Sequence, residues 1–339
     1  MASVKQIINP GCAIDAGTMN LVGARRSSDG SVTTRRVRNA FIDLPMEHKR
    51  MLKLSNTSFA ELDGRLVVVG DSALETANLL NKDARRPMSG GVVSAGELDA
   101  QRVIALMMKE VLGEPIVKGE KCCYSIPAPA IDTRGSDVIY HSAILKKVLQ
   151  ELGYFPEPAN EAMAIIYSEC AKENFSGLAI SYGSGMTNVC LSVNAMSAFE
   201  FSLGRGGDWI DSGAARAVGT TAARICSIKE TEFDANHTGS DSREIEAIAV
   251  FVQSLIDYTI DKIIETFQSK KGDIHISKPL PIVISGGTSL AKGFLDKFRE
   301  RFSVHKSKFP IQISEIRHAT NPMTSVANGL LMLSMMDDN

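Results

Sequence analysis

Two short segments rich in glycine and hydroxyl side chains carry residue types that bind phosphate. The first is ISYGSGMTN, residues 180–188, where Gly183 and Gly185 remove two Cβ atoms and let backbone N–H groups crowd around an anion. Ser184 and Thr187 add hydroxyl groups. A hairpin turn also carries glycine and asparagine for conformational reasons alone, so this segment by itself leaves both interpretations open.

The second segment is SGGT, residues 285–288, which lies between an apolar run and a predicted helix. Helix N–H groups there can face an anion, although such glycines also serve only to pack a strand-to-helix turn. The chain contains no GxxxxGK[ST] pattern, and the run GRGG at 204–207 does not match GxGxxG. Phosphate binding therefore depends on the segments taken together.

Composition and charge favour a globular protein and give little support to several other classes of protein. The 339 residues suffice for two domains, and a hydrophobic content of 44% permits a sizeable core. The net charge of -2, with no long basic run, gives no strong signal for nucleic-acid binding. We expect a cytoplasmic protein, because the chain has neither a signal-peptide pattern nor a transmembrane run of about 18 apolar residues. The six cysteines form no metal-ligand cluster, and we expect reduced thiols.

Strand and helix patterns alternate along the chain, which is typical of an α/β protein. Apolar runs at 12–15 and 21–24 flank a second small-residue turn, and its resemblance to 181–184 suggests a duplicated unit. Asn160 is predicted to cap a helix that begins at Glu161. The other predictions are helices at 72–80, 95–112, 135–152, 214–225, 244–267 and 322–336, and a last strand at 311–313.

Five motifs in order resemble the actin, Hsp70 and sugar-kinase superfamily of ATPases, most closely bacterial and archaeal actin homologues such as MreB and MamK. AIDAGT resembles the first phosphate loop and ISYGSGMTN the second, while ISGGTSLAKGF resembles the adenosine motif. NEAMAIIYS and NPMTSVANGLL resemble the two connecting helices. The resemblance covers nearly the whole chain.

This resemblance implies a two-lobed actin-like α/β fold, with an RNase H-like core in each lobe and ATP and Mg²⁺ in the cleft between lobes. The first lobe is expected at 1–158, with a small inserted subdomain at about 32–91. The second lobe is expected at 159–339, with a reduced small subdomain at about 206–270 and a C-terminal helix that returns to the first lobe.

The resemblance also assigns two catalytic residues. Asp15 would orient water in the Mg²⁺ shell, because a hard cation favours carboxylate oxygen; alternatively it is a turn aspartate. Glu161 would position the attacking water, which is a large part of what phosphoryl transfer needs from side chains. Alternatively, Glu161 is an acid stabilised by a helix N-terminal dipole.

The remaining assignments concern the nucleotide. Lys229 and Glu230 would touch the nucleoside, although such a pair at a helix end is often a solvated face. The residues that would cradle the phosphates are Gly17, Thr18, Gly183, Ser184 and Gly185. Those that would form the floor under the adenosine are Gly286, Gly287 and Thr288, and the resemblance further assigns Met19, Met186, Gly207 and Leu290 to the nucleotide site.

The chain departs from these homologues at two places. Ser181 stands where the second loop usually begins with aspartate, and Asn188 stands where an acid often ends it. A serine cannot supply carboxylate charge, so we expect slow ATP hydrolysis. The segment between Glu230 and Arg243 is too short for the small β-sheet that MreB-like proteins place there.

The resemblance leaves three functions open. The first is a cytoskeletal ATPase that assembles head to tail with copies of itself, together with a cargo or adaptor protein. The second is a non-polymerising nucleotide-dependent switch or scaffold. The third, a small-molecule kinase, has least support, because nothing in the sequence suggests an acceptor site.

Overall fold

The computed structural model describes residues 11–27, 29–133, 137–236, 239, 242–270, 276 and 278–336. In chain order, the elements up to residue 160 are β1 (Gly11–Ala16), β2 (Asn20–Arg26), β3 (Val32–Arg38), β4 (Phe41–Pro45), α1 (Lys49–Leu54), β5 (Ala60–Leu62), β6 (Arg65–Val69), α2 (Asp71–Leu79), β7 (Met88–Ser89), β8 (Val92–Val93), α3 (Ala100–Leu112), β9 (Lys121–Ile126), α4 (Val138–Glu151) and β10 (Phe155–Asn160). The later elements are α5 (Glu161–Glu169), β11 (Gly177–Tyr182), β12 (Thr187–Val193), β13 (Met196–Leu203), α6 (Gly207–Val218), α7 (Ala222–Thr231), α8 (Arg243–Ser269), β14 (Leu280–Ser285), α9 (Phe294–His305), β15 (Ile313–His318) and α10 (Ser325–Ser334).

The chain divides into two units, each built on one five-stranded sheet. Unit 1 comprises Met1–Ile126, Asp137–Ala159 and Ala327–Asn339, and unit 2 comprises Pro127–Ser136 and Asn160–Val326. The strand order is β10-β9-β1-β2-β3 in unit 1 and β13-β12-β11-β14-β15 in unit 2. In both sheets three consecutive strands form an antiparallel meander, and the first of them pairs in parallel with the next main-sheet strand. The repeated RNase H-like order confirms the predicted duplication and the predicted α/β fold.

Helix α3 packs against the main sheet of unit 1. Its apolar residues recur at helical spacing, and those facing the sheet are fully buried. Gly23 of β2 permits this close packing, because a Cβ at that position would lie 2.4 Å from Cγ1 of Val111. Helix α4 adds His141, a buried side chain whose Nδ1 accepts a 3.2 Å hydrogen bond from the backbone N–H of Val93.

A second, smaller core lies in the inserted part of unit 1. Strands β4, β6 and β5 form an antiparallel sheet, and α1 and α2 contribute buried residues to its core. Strand β3 is polar and exposed, yet it pairs with β2 along its whole length in the main sheet. Its polarity follows from its place at the sheet edge, where charged side chains are common.

Unit 2 is organised by the long helix α8. Its buried apolar side chains share one core with the sheet and with α6, α7 and α9. The ring of Tyr182 at the end of β11 packs edge-on against Phe294 of α9, with ring centroids 4.9 Å apart. This packing fixes the end of β11, where the second predicted phosphate loop begins.

The single helix predicted at 214–225 is wrong, because two helices meet there. Helix α6 ends at Val218 and is capped by Gly219, which has a φ of 75° and so adopts a left-handed conformation that favours glycine. Thr221 then caps α7, and its side chain accepts a 3.3 Å hydrogen bond from the N–H of Arg224.

Three other predicted boundaries also move. The last strand lies at Ile313–His318, where it pairs in parallel with β14 and mixes apolar with charged residues. Helix α3 begins at Ala100 rather than at residue 95, and α10 begins at Ser325 rather than at residue 322. Within the described ranges, no helix is both long and apolar enough to span a bilayer.

Candidate functional site

The first predicted phosphate loop is a tight turn between β1 and β2. The N–H of Gly17 donates to the carbonyl oxygen of Asn20 at 3.0 Å, and a Cβ on Gly17 would lie 2.9 Å from that oxygen. The buried amide of Asn39 donates to the carbonyl of Gly17 at 2.9 Å. The hydroxyl of Thr18 accepts a 3.0 Å hydrogen bond from the N–H of Gly91, so it braces the loop against the β7–β8 hairpin.

Asp15 lies at the end of β1, just before this loop. Ser125 on the neighbouring strand donates a 2.8 Å hydrogen bond to its Oδ1, and the Ser125 oxygen accepts the N–H of Ala16 at 2.9 Å. Burial raises the pKa of Asp15 to about 6, while the Ser125 hydrogen bond opposes that rise. The carboxylate is thus held in one orientation in a poorly solvated place, where a cation would stabilise its charged form.

The second loop repeats this turn between β11 and β12. The N–H of Gly183 donates to the carbonyl of Met186 at 2.9 Å, and a Cβ on Gly183 would lie 2.9 Å from the same oxygen. Met186 and Gly185 are buried, whereas Ser184 is partly exposed, as is Met19 in the first loop. The side chain of Met186 therefore presents almost no exposed surface to a ligand.

Strand register makes the two loops equivalent residue by residue. Asp15 and Ser181 each lie two residues before the first glycine of their loop. Ser125 lies beside Asp15 on the neighbouring parallel strand, and Ser285 pairs with Ser181 in the same way. One half of the duplication thus carries a carboxylate where the other carries a hydroxyl.

The N-terminus of α6 docks directly on the second loop. The N–H groups of Gly207 and Asp208 donate to the carbonyls of Gly183 and Ser184 at 3.0 and 2.8 Å. A Cβ on Gly206 would lie 2.6 Å from both carbonyl oxygens, so this close approach requires glycine. The GRGG run thus has a definite structural role, because it lets the helix reach the loop.

Thr288, in the predicted adenosine motif, contacts the second loop. Its hydroxyl donates to the carbonyl of Gly183 at 2.9 Å. A Cβ on Gly207 would lie 2.6 Å from that hydroxyl oxygen and 3.4 Å from Nζ of Lys229. Three segments far apart in the sequence therefore converge around the second loop within unit 2.

Lys229 and Glu230, which the sequence treats as a pair, have different surroundings. Lys229 is 7% exposed, and its Nζ lies 2.6 Å from Oδ1 of Asp211 on α6. Burial raises the pKa of Asp211, and the attraction of Lys229 opposes the rise. Glu230 is exposed. The solvated-face interpretation therefore fits Glu230 and is wrong for Lys229.

The two glycines of the adenosine motif also differ. Gly286 has a φ of 88°, and a Cβ there would lie 2.3 Å from the carbonyl oxygen of Tyr182. The packing of the chain itself thus requires glycine at position 286, independently of any ligand. A Cβ on Gly287 would meet only Sδ of Met323, at 3.4 Å. Leu290 is half exposed. Gly287 is therefore the glycine that leaves room for a ligand.

Glu161 begins helix α5, as predicted. The side chain of Asn160 caps this helix and accepts a 3.0 Å hydrogen bond from the N–H of Met163. Ser181, only 2% exposed, donates a 2.8 Å hydrogen bond to Oε1 of Glu161. The partly exposed carboxylate of Glu161 thus accepts a hydrogen bond from a buried serine. The sequence does not reveal this contact.

Magnesium would be held without a dedicated protein cage. Among the described residues, no group of three or more His, Cys, Asp or Glu side chains could hold a metal ion. Mg²⁺ in nucleotide sites keeps several waters and binds one or two carboxylates together with substrate phosphates. The single oriented carboxylate of Asp15 fits that requirement.

Three supporting residues were missed by sequence reasoning. Asn39 holds the carbonyl of the first loop, Ser125 orients Asp15, and Asp211 pairs with Lys229. A polar residue in an apolar strand, as at Ser125, was an available signal. Asn39 and Asp211 lie among other polar residues, and their roles depend on tertiary contacts alone.

The duplicated sheets and their paired loops define an actin-like fold. The MamK double helical filament structure has a TM-score of 0.71 at 20% identity, over 97% of this chain and 99% of that one. MreB 5 of Spiroplasma citri bound to AMPPNP has a TM-score of 0.64 at 16% identity, over 96% of each chain. The ethanolamine utilization protein EutJ from Carboxydothermus hydrogenoformans has a TM-score of 0.55 at 14% identity, over 97% of this chain and 93% of that one.

The chain belongs to the Volactin family, whose sequence profile matches residues 11–333. No curated protein matches the sequence significantly. The resemblance to MreB-like and MamK-like actin homologues is confirmed at the level of the fold.

Proposed function

We propose that the chain is an actin-like cytoskeletal protein of the cytoplasm that binds ATP and Mg²⁺, hydrolyses ATP slowly and assembles head to tail into filaments. The observation that carries the proposal is the convergence of Gly183, Gly207, Lys229 and Thr288 around one loop. The first loop repeats the same turn beside Asp15. Two hairpins alone would not require a buried lysine and three small residues to converge there.

Each predicted residue has a distinct task in this proposal. The small residues of both loops let backbone N–H groups approach phosphate oxygens, as in other anion-binding turns. Mg²⁺ supplies positive charge that stabilises the phosphates during transfer. Asp15 holds water around the cation, and Glu161 orients the attacking water. Lys229 lies beside Gly207 and would contact the nucleoside, while Gly287 leaves space for the adenosine.

Slow hydrolysis follows from the charges of the second loop. Ser181 occupies the position that corresponds to Asp15 in the duplicated unit, and Asn188 is also neutral. Preorganised charge near the reacting groups often supplies a large share of rate enhancement, and the loss of one such group costs on the order of a hundredfold to a thousandfold. ATP binding does not need that charge and should persist.

Self-assembly is supported by two considerations. One structural neighbour is a MamK double helical filament, and a head-to-tail contact that does not close generates a filament. Electron microscopy and sedimentation with ATP, with ADP and without nucleotide provide the test. We expect filaments with ATP, above a threshold protein concentration.

A second candidate is a non-polymerising nucleotide switch or scaffold. It is favoured by the neutral Ser181, because slow turnover would prolong one nucleotide state. A protein that binds ATP but stays monomeric in all nucleotide and salt conditions would support this candidate and contradict filament assembly.

A further inference from the structure

The hydrogen bond between Ser181 and Glu161 gives the unusual serine a task of its own. Its Oγ donates to Oε1 of Glu161 at 2.8 Å, and Ser181 itself is 2% exposed. Because the carboxylate oxygen accepts this hydrogen bond, the hydroxyl restricts the orientation of the Glu161 side chain. We propose that Ser181 is a positioning residue that fixes the carboxylate of Glu161 toward the attacking water. This inference rests on the proposed ATPase function.

The internal duplication explains why a donor suits this position. In unit 1, Asp15 is the acceptor and receives its hydrogen bond from Ser125. In unit 2, the equivalent Ser181 is the donor, and the carboxylate belongs to Glu161 on helix α5. Each unit thus has one serine–carboxylate hydrogen bond at this strand position. In unit 1 the residue at that position is the carboxylate, Asp15, and in unit 2 it is the serine donor, Ser181.

Local structure keeps both partners in place. Ser181 is locked in β11 by backbone pairing with β12 on one side and β14 on the other. Glu161 occupies the first turn of α5, where the N-terminal dipole favours a negative charge. Asn160 fixes that first turn through its capping hydrogen bond. The hydrogen bond therefore joins two rigid elements, and its loss should weaken the restraint on the orientation of the carboxylate.

An aspartate at position 181 would not be a simple improvement. Two carboxylates at hydrogen-bond distance cannot both ionise easily, and they share a proton. Without a cation between the two acids, Ser181→Asp should therefore misorient or neutralise Glu161. If Mg²⁺ is bound there, the added charge should instead raise the hydrolysis rate, as the charge argument for slow hydrolysis requires.

A double-mutant cycle in nucleotide-free protein tests the contact independently of activity. The variants are Ser181→Ala, Glu161→Ala and the double change, compared by the midpoint of chemical unfolding. We expect Ser181→Ala to lower the midpoint in the parent and to have much less effect when Glu161 is already alanine. Ser192→Ala is the matched control, because Ser192 is a fully buried serine of the same sheet that donates to the carbonyl of Phe175 at 2.8 Å. Its effect should be the same with and without Glu161.

Kinetics test the positioning role. Ser181→Ala should lower kcat about tenfold, with KM and ATP affinity by calorimetry unchanged, and Ser181→Thr should restore most of kcat because it keeps the hydroxyl. Ser192→Ala should leave kcat unchanged.

The possible failures are distinguishable. A parent that hydrolyses ATP at a rate unaffected by Ser181→Ala overturns this inference alone. Additive effects of Ser181→Ala and Glu161→Ala on the unfolding midpoint also overturn it. A parent with no ATP turnover contradicts the proposed ATPase function, and with it any catalytic role for the pair.

Discussion

Gly286 and Gly287 test the packing around the end of β11, because a Cβ would clash with the backbone at Gly286 and would have space at Gly287. A Cβ on Gly286 would lie 2.3 Å from the carbonyl oxygen of Tyr182, with φ at 88°. A non-glycine residue in the left-handed region costs roughly 1–2 kcal/mol, and overpacking of a tight site costs roughly 1–3 kcal/mol more. Gly286→Ala should therefore destabilise the protein by about 2–5 kcal/mol.

The matched control is Gly287→Ala. Its Cβ would make one ordinary contact, with Sδ of Met323 at 3.4 Å. An alanine that fits the native backbone is neutral or stabilises by about 0.4–1 kcal/mol. Differential scanning calorimetry without nucleotide measures both changes. For a domain of this size about 1 kcal/mol shifts Tm by roughly 2–4 °C, so Gly286→Ala should lower Tm by about 4–20 °C and Gly287→Ala should not lower it.

Equal Tm values for the two variants would refute this reasoning. That result would mean that the backbone of Tyr182 moves freely away from residue 286. The end of β11 would then be soft, and the geometry of the second loop would lose its support.

Three further predictions concern stability. Asp211→Ala leaves Lys229 buried without its partner and should lower the free energy of unfolding by about 3–5 kcal/mol, whereas replacing both with apolar residues should restore much of it, as measured by urea denaturation. Burial lowers the pKa of His141 to about 4 from 6.5, so the unfolded chain binds a proton that the folded chain refuses. Stability should fall by up to about 3 kcal/mol as pH drops from about 6.5 to about 4, and this loss should disappear in His141→Asn. Thr221→Ala removes the cap of α7 and should cost about 0.5–2 kcal/mol, and helical content near that junction, followed by hydrogen exchange, should drop. Unchanged stability in any of these variants would contradict the corresponding contact.

The sequence was informative where local pattern decides structure. The apolar runs around each glycine turn predicted both hairpins, because strands and tight turns have strong short-range signals. Asn160 was predicted to cap α5, and it does so. The order of the five motifs then predicted the fold of the whole chain.

The surroundings of three site residues depend on tertiary contacts and could not be predicted from the sequence. The sequence leaves Lys229 open between a nucleoside contact and a solvated face, because its buried partner Asp211 lies on another helix. Ser181 is read only as a lost negative charge, since its contact with Glu161 joins a strand to a different helix. Gly286 is assigned to the adenosine floor, whereas the backbone of the chain itself requires glycine there.

Titration calorimetry of ATP with Mg²⁺ tests the central claim most directly. The parent should form a one-to-one complex. Gly287→Arg should fold with an unchanged circular dichroism spectrum, because a side chain at position 287 meets little of the protein. It should lose ATP binding, because the arginine side chain would fill the open space beside residue 287 that the adenosine needs. A parent that binds no ATP, or a Gly287→Arg protein that binds it as tightly as the parent, would contradict the nucleotide site described above.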